Sequence, residues 1–426
     1  MKKSLFALIL AVAASTAFSQ GLADLYKKGT IRLIPDAEYA KDNNWDKVFN
    51  AYYDPASGKP AGSRKSLVVM PDGSVVINNS AVNYYSEFSP DGKFDKEFVM
   101  KNGKGAQIGK AMKIEGTMND NAFITELDIT GNMNFYDFSG NFVKTLKLDY
   151  MSSQVIPLPG NKIAVVGWAI WKTKFRDFVS IVDYGTNVEK IIWEKFTDRN
   201  DESGNHMPFN YSYKSDGGST IVFTSMPYSV QAGMSSPPRI VCVKDKLVIA
   251  VPNTGEILVY TLDGTLVSKE KIPWANELAS VEEQKAIQQK AIDNFKNMKS
   301  PDTEKGTSPE NIKAAKDQVI KQMEEDLAGI KEPLLMPAFS TIIKDSDGNL
   351  LFFEFPKEES GNRFNVWIFN NGGKFVCASS FVCDDYQLDI NPSRLVFHNG
   401  DLYGLQNLKK ASGVPLRLVR FKLTGN

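Results

Sequence analysis

Two histidines and three cysteines set narrow limits on the chemistry open to this 426-residue chain. His206 and His398 belong to no H-E-x-x-H helix and to no Cys/His zinc spacing, so nothing points to a zinc hydrolase. The nucleophile elbow G-x-S-x-G and the phosphate loop G-x-x-x-x-G-K are both missing. A Ser-His-Asp triad would have to gather from distant loops around His206, because His398 falls in a turn on the opposite side of the fold inferred below. No metal ion and no cofactor is expected. Paired Asp and Glu can do acid-base work without histidine, so a hydrolase or lyase built on carboxylates stays open as an alternative.

One acidic cluster needs an account. Asp345, Asp347 and Asn349, with Glu354 beyond, faintly resemble a calcium loop, but the glycine at 348 comes too early for that spacing. Turn chemistry explains Asp-Ser-Asp-Gly-Asn without a metal, since Asp and Asn hydrogen-bond their own backbone and Gly accepts positive φ. Asp384 and Asp385 read as a solvated turn. The more suggestive stretch is Gly167-Trp-Ala-Ile-Trp-Lys-Thr-Lys-Phe-Arg176, read as the loop between the second and third strands of the third repeated unit described below, which joins two tryptophans to three cations. Aromatic rings beside Arg or Lys suit stacking on a sugar or anchoring a protein partner. Trp171, Lys172, Lys174 and Arg176 are therefore the first candidates for a binding site, Trp168 suits packing within the fold, and the whole stretch could equally serve packing. Tyr211 and Tyr213 form a second rank, with Tyr52, Tyr53 and Arg64 beside them, chosen by position alone.

The elements that position these residues begin at the N-terminus. Lys2 and Lys3, an apolar run from Leu5 to Ala14 and the small-residue end Ala17-Phe18-Ser19 make residues 1–19 a secretory signal peptide, with Gln20 as first mature residue. No later apolar stretch reaches the roughly 20 residues of a spanning helix, and no cysteine lies near the cleavage site. A soluble periplasmic, cell-surface or secreted monomer is expected. Without Lys2 and Lys3 the basic residues number 48 against 50 acidic ones, which gives no drive toward nucleic acid or anionic membranes. Cys242, Cys377 and Cys383 are too few for a disulfide scaffold and read as buried apolar fillers; the last two, on one strand, would stand roughly 20 Å apart.

A short unit then recurs along the chain: an aromatic strand end, a polar turn with glycine, and another apolar strand. It reads Tyr85-Ser-Glu-Phe-Ser-Pro-Asp-Gly92, Phe135-Tyr-Asp-Phe-Ser-Gly140, Val259-Tyr-Thr-Leu-Asp-Gly264 and Val366-Trp-Ile-Phe-Asn-Asn-Gly-Gly373, with weaker copies at 180–185 and 419–425. Upstream of each lies a second polar turn, at 71–73, 119–120, 159–161, 244–245, 345–349 and 399–401. Each pair of turns makes a four-stranded antiparallel meander, with strands a to d from the inside outward. Six meanders predict a six-bladed β-propeller in one domain, residues 20–426. The alternatives are a seven-bladed ring that recruits residues 209–224, or two packed sandwiches. The last meander runs out of chain before its outer strand, and an open edge invites aggregation. Thr30-Ile-Arg-Leu-Ile34 is expected to supply that strand.

The turns Ser89-Pro-Asp-Gly-Lys93 and Asp345-Ser-Asp-Gly-Asn-Leu350, with the repeated strand-turn-strand units, resemble exported six-bladed propellers of the NHL-like and TolB-like type. The resemblance covers nearly all of the mature chain and implies an architecture, not a chemistry, because such propellers include enzymes, binders and docking platforms.

In a blade of this topology the b to c loops and the crossings between blades share one face. All the long excursions are crossings: 37–65, 197–237 and 273–336. The third is helical in composition from Ala275 to Lys299 and from Ser308 to Ile330. Leu278, Val281, Ala291, Ile292, Phe295 and Met298 form one stripe, and Ile312, Val319, Met323, Leu327 and Ile330 the other, with Ser308 as N-cap and Pro309 as first helical residue. Three excursions on one face and few catalytic residues predict a non-enzymatic propeller that binds a protein, peptide or glycan; a structural envelope component is the further alternative.

Overall fold

The computed structural model describes residues 21–49, 53–54, 59–60, 66–79, 84–99, 111–118, 123–128, 132–137, 140–171, 174–198, 209–214, 220–225, 237–274, 276–297, 309–354 and 362–425. The expected signal peptide and His206 lie outside them.

The recurring four-stranded unit is present, and its strands differ in composition because they differ in exposure. The fourth unit makes this plain. Its strands b (Lys246–Val251, KLVIAV) and c (Glu256–Thr261, EILVYT) are rich in β-branched residues and almost wholly buried, whereas d (Leu266–Lys271, LVSKEK) is polar and exposed. A strand covered on both faces loses the alternation that a half-exposed strand must keep. Strand c closes on d through one repeated turn. Thr261 N donates to Thr265 O and Gly264 N to Thr261 O, and the same pair of bonds recurs at Ser89, Asp137 and Asn370. The fourth turn residue has φ near +80° each time, at Gly92, Gly140, Gly264 and Gly373, which is why glycine marks the period. At Gly92 a Cβ would also stand 2.7 Å from the Tyr39 ring.

The a strands Leu67–Val69, Ala111–Met118, Met151–Leu158, Arg239–Val243, Thr341–Lys344 and Leu395–His398 touch in sequence order, and the last touches the first. Buried apolar clusters fill the crevices between consecutive units: Val165 and Val182 face Phe135 on one side of the third unit, while Val166 and Val179 face Ile240 and Ile249 on the other. Sheets arranged radially, each with its a strand inward and its apolar faces on both neighbours, make a β-propeller.

The ring is closed by chain ends. Thr30–Pro35 pairs antiparallel with Leu416–Gly425, Ile31 opposite Gly425 and Pro35 opposite Phe421, as the unpaired edge required. Residues 419–425 are therefore one strand and not a hairpin of their own. Along the closing strand Ile31 and Leu33 point inward and are buried, while Arg32 points out to Asp384 at 3.0 Å. Its other edge pairs in parallel with the d strand of the preceding unit, Thr30 opposite Ser380.

Two polar locks hold this element. Helix α1 (Leu22–Tyr26) precedes it, and the fully buried Tyr26 hydroxyl donates to Asp345 Oδ2 at 3.0 Å. Leu22 N donates to Asp347 Oδ2 at 2.7 Å. At the far end Arg420 grips Asp36 through Nη2 and Nε, at 2.7 and 3.2 Å, with its guanidinium over the Tyr39 ring.

Short helix α2 (Trp45–Val48) follows, and Phe49 and Tyr39 pack with Val48 on the first unit. Between the fourth and fifth units lie α3 (Val281–Asn297) and α4 (Pro309–Gly329), the second starting on the proline. Ile292, Val319 and Met323 form their shared core with Ala291, Phe295 and Leu327 around it. Leu278 departs from the helical stripe: it sits in the two-residue strand Leu278–Ala279, opposite Leu335, and is exposed. The helix starts later because Ser280 and Glu283 form a capping box, Glu283 N donating to Ser280 Oγ and Ser280 N to Glu283 Oε2. Buried Gln288 also interrupts the apolar stripe and donates to Met323 O at 3.2 Å.

Candidate functional site

The third unit carries the leading candidates, and its strands are long: b is Lys162–Trp171, c is Lys174–Asp183 and d is Val188–Asp198. The stretch read as a loop is mostly an extension of this sheet. Trp171 pairs with Lys174, Ala169 with Arg176 and Trp168 with Asp177, so only residues 172 and 173 connect the strands. Lys172 lies outside the described residues. The cause is visible in the sequence once the register is known, since Trp, Ile, Phe and Val at 168–179 favour strand over loop.

Arg176 is held within its own sheet. Its Nη2 and Nε both donate to Glu194 Oε2, at 2.7 and 3.0 Å, and the guanidinium lies over Phe178 and Phe196 with centroid distances of 5.2 and 5.7 Å. An exposed pair of this kind contributes about 0–1 kcal/mol, so it orders the side chain more than it stabilises the fold. Phe196 remains 42% exposed beside it. Lys174 is exposed, Trp168 is half-buried, and burial pushes the neighbouring Asp177 carboxyl above its ordinary pKa. A pre-ordered guanidinium next to an open aromatic edge is a surface that can take a ring or a planar polar group.

Tyr211 and Tyr213 fall in a second hairpin, Phe209–Lys214 paired with Thr220–Ser225, where they stand opposite Phe223 and Ile221. Helix α4 lies against both of its strands. Tyr53 belongs to the short pair Tyr53–Asp54 and Lys59–Pro60, while Tyr52 and Arg64 lie outside the described residues. The candidates thus gather on two hairpins: Trp171, Lys174 and Arg176 on one, Tyr211 and Tyr213 on the other. Glu194, the partner that fixes Arg176, went unread, because a contact across neighbouring strands leaves no local signal in the sequence.

The acidic turn is satisfied from within. Asp345 accepts from Asp347 N, Asn349 N and Asn349 Nδ2 at 3.0, 2.7 and 2.8 Å, besides the Tyr26 hydroxyl. Among the described residues no group of three or more His, Cys, Asp or Glu side chains could hold a metal ion. His398 stands beside Asn399 in its a to b turn, its pKa lowered by burial. The three cysteines are free thiols; Cys383 is buried, whereas Cys242 and Cys377 are only partly so. None of the helices described is long and apolar enough to cross a membrane.

No family model and no curated protein matches the sequence. Among solved structures the chain is similar to a member of the DUF4221 family from Bacteroides vulgatus, at 12% identity and a TM-score of 0.45, over 93% of this chain and 97% of that one. A protein described as exported from Bacteroides fragilis aligns at 11% identity and a TM-score of 0.43, over 86% and 91% of the two chains. A streptogramin B lyase aligns at 10% identity and a TM-score of 0.34, over 85% and 94%.

Proposed function

We propose that this chain is an exported, non-enzymatic β-propeller of six blades that binds a protein, peptide or glycan through the face carrying its insertions. The blade count is supported by the cycle of a-strand contacts, which returns from Leu395–His398 to Leu67–Val69. The insertions are residues 37–65, 197–237 and the helical pair within 273–336. The observation that carries the binding reading is the meeting of two insertions: α4 rests on the hairpin that bears Tyr211 and Tyr213. Separate connections that pack on one another build a composite surface, which a propeller does not need for its own closure.

On this reading Trp171, Lys172, Lys174 and Arg176 with Tyr211 and Tyr213 form the contact surface, and export follows from residues 1–19. The test is capture from envelope and medium fractions, and binding to a glycan array, by the mature protein beside Trp171→Ala and Arg176→Ala. Both variants should keep the parent's unfolding midpoint and lose capture. Normal capture by both would remove these residues from the site, and unchanged capture by a folded variant lacking 275–334 would remove the helical pair.

A further inference from the structure

In the crevice between the third and fourth units, Val166, Val179 and Trp193 of strands b, c and d pack with Ile240 and Ile249. One step further along the third unit a transverse row crosses all four of its strands. Met151 stands opposite Trp168, Trp168 opposite Asp177, and Asp177 opposite Lys195. Partners in an antiparallel register project from the same face. Trp168, Asp177 and Lys195 each lie two residues from a member of the packed row, so the whole row belongs to the face turned toward the fourth unit. It is open where the packed row is closed: Met151 is 44% exposed, Lys195 is exposed, and Trp168 and Asp177 are partly so.

Asp177 stands out within this row. Among the described residues no hydrogen bond and no ion pair reaches its carboxylate. Lys195 acts on it only through space, and burial outweighs that pull, so the carboxyl stays above its ordinary pKa. A partly buried anion without a donor is unfavourable, and a donor from outside the chain would remove the penalty. Neighbouring Cβ atoms in such a row are about 5 Å apart, which lets the Trp168 indole and the Asp177 carboxylate meet one small group together. An indole face attracts cations, a methionine thioether is polarizable and adapts its shape, and a carboxylate accepts several N–H donors.

We propose that the row Met151, Trp168 and Asp177 is a binding site for an organic cation, the ammonium or guanidinium group of a ligand, with its charge on the Asp177 carboxylate and its flank on the Trp168 ring. Lys195 is the resident cation with which the ligand competes. Residues 176 and 177 alternate across the sheet, so this site lies on the opposite face from Arg176 and does not rest on the surface assigned to that residue.

The test is titration of the mature protein with butylammonium, ethylguanidinium and choline chlorides against sodium chloride at matched ionic strength. Binding is followed through the indole N–H signal of Trp168 in protein carrying isotopically labelled tryptophan, assigned with Trp168→Phe. At least one organic cation should shift that signal saturably. Choline binding best would indicate a quaternary ammonium ligand, and butylammonium or ethylguanidinium binding best a lysine or arginine side chain of a peptide. Asp177→Asn should weaken binding by about tenfold or more, and Lys195→Met should strengthen it by a few-fold, which a purely structural row would not do. Asp177→Asn should also unfold no earlier than the parent, because it removes an unpaired charge. The assignment would be overturned by no saturable shift with any of the cations, or by binding that survives Asp177→Asn. Equal binding of the uncharged choline isostere, in which a tert-butyl group replaces the trimethylammonium head, would overturn it too, as would an Asp177→Asn variant that unfolds much earlier, the mark of a carboxylate paired within the chain.

Discussion

Replacing Tyr26 by Phe deletes one oxygen from the lock that holds the closing element and changes little else. The ring is fully buried and packs near Phe381, so the substitution keeps its shape and removes only the donor to Asp345. That carboxyl is buried and accepts from Asp347 N, Asn349 N and Asn349 Nδ2 as well, so it is left with three of its four donors. A hydrogen bond to a charged group contributes about 1.5–3 kcal/mol, which is roughly a 10- to 150-fold change in the folded-to-unfolded ratio. In urea the midpoint should fall with an unchanged slope. The pH dependence has a definite sign. Burial, the largest cause, raises the Asp345 pKa, so ionising it opposes folding and its contribution to stability is lost as pH rises through the folded value; the donors, Tyr26 among them, pull that value back down. Tyr26→Phe removes one of these donors, so its deficit should be largest at neutral pH and shrink as the carboxyl protonates in acid. A deficit that is absent, or equally large on both sides of that titration, would refute the account of the lock.

Ile31→Ala leaves a cavity where the closing strand enters the core and should cost about 2–5 kcal/mol, read as a shift in the urea midpoint. Gly92→Ala combines a φ of +80° with a Cβ 2.7 Å from the Tyr39 ring, whereas Gly29→Ala has a φ of +88° and open space; the first should destabilise well beyond the ~1–2 kcal/mol expected of the second, and equal effects would deny the clash. Ser280→Ala removes the cap of α3 and should lower stability by about 0.5–2 kcal/mol and reduce hydrogen-exchange protection in the first turn of that helix.

What could be read from the sequence was whatever recurs or alternates locally. The glycine of the c to d turn is forced by positive φ, so Gly92, Gly140, Gly264 and Gly373 mark the period without any tertiary knowledge. Thr30 to Ile34 was legible as the closing strand because its apolar residues alternate and the last unit lacks an edge. The start of α4 at Pro309 followed from backbone chemistry. Leu278 leaves the helical stripe because the Ser280–Glu283 capping box starts the helix after it, and residues 167–176 extend a hairpin whose β-prone composition is local but whose register only the folded sheet reveals. Of the candidate site, residue types and addresses could be read; the Glu194 clamp on Arg176 could not, because it is a contact between neighbouring strands.

The closing strand also dictates a schedule. Asp36 and Arg420 are 384 positions apart, so the first strand made waits for the last. At synthesis rates of roughly 5–20 residues per second that wait is about 20–80 s, during which the closing strand has neither of its partners, Ser380–Val382 and Phe421–Gly425. Contacts of such separation form late, and until they do the partly built ring offers ready templates for pairing with another chain. The ring cannot mature piecemeal from the leading end, and the time between emergence and closure is when its aggregation risk is greatest.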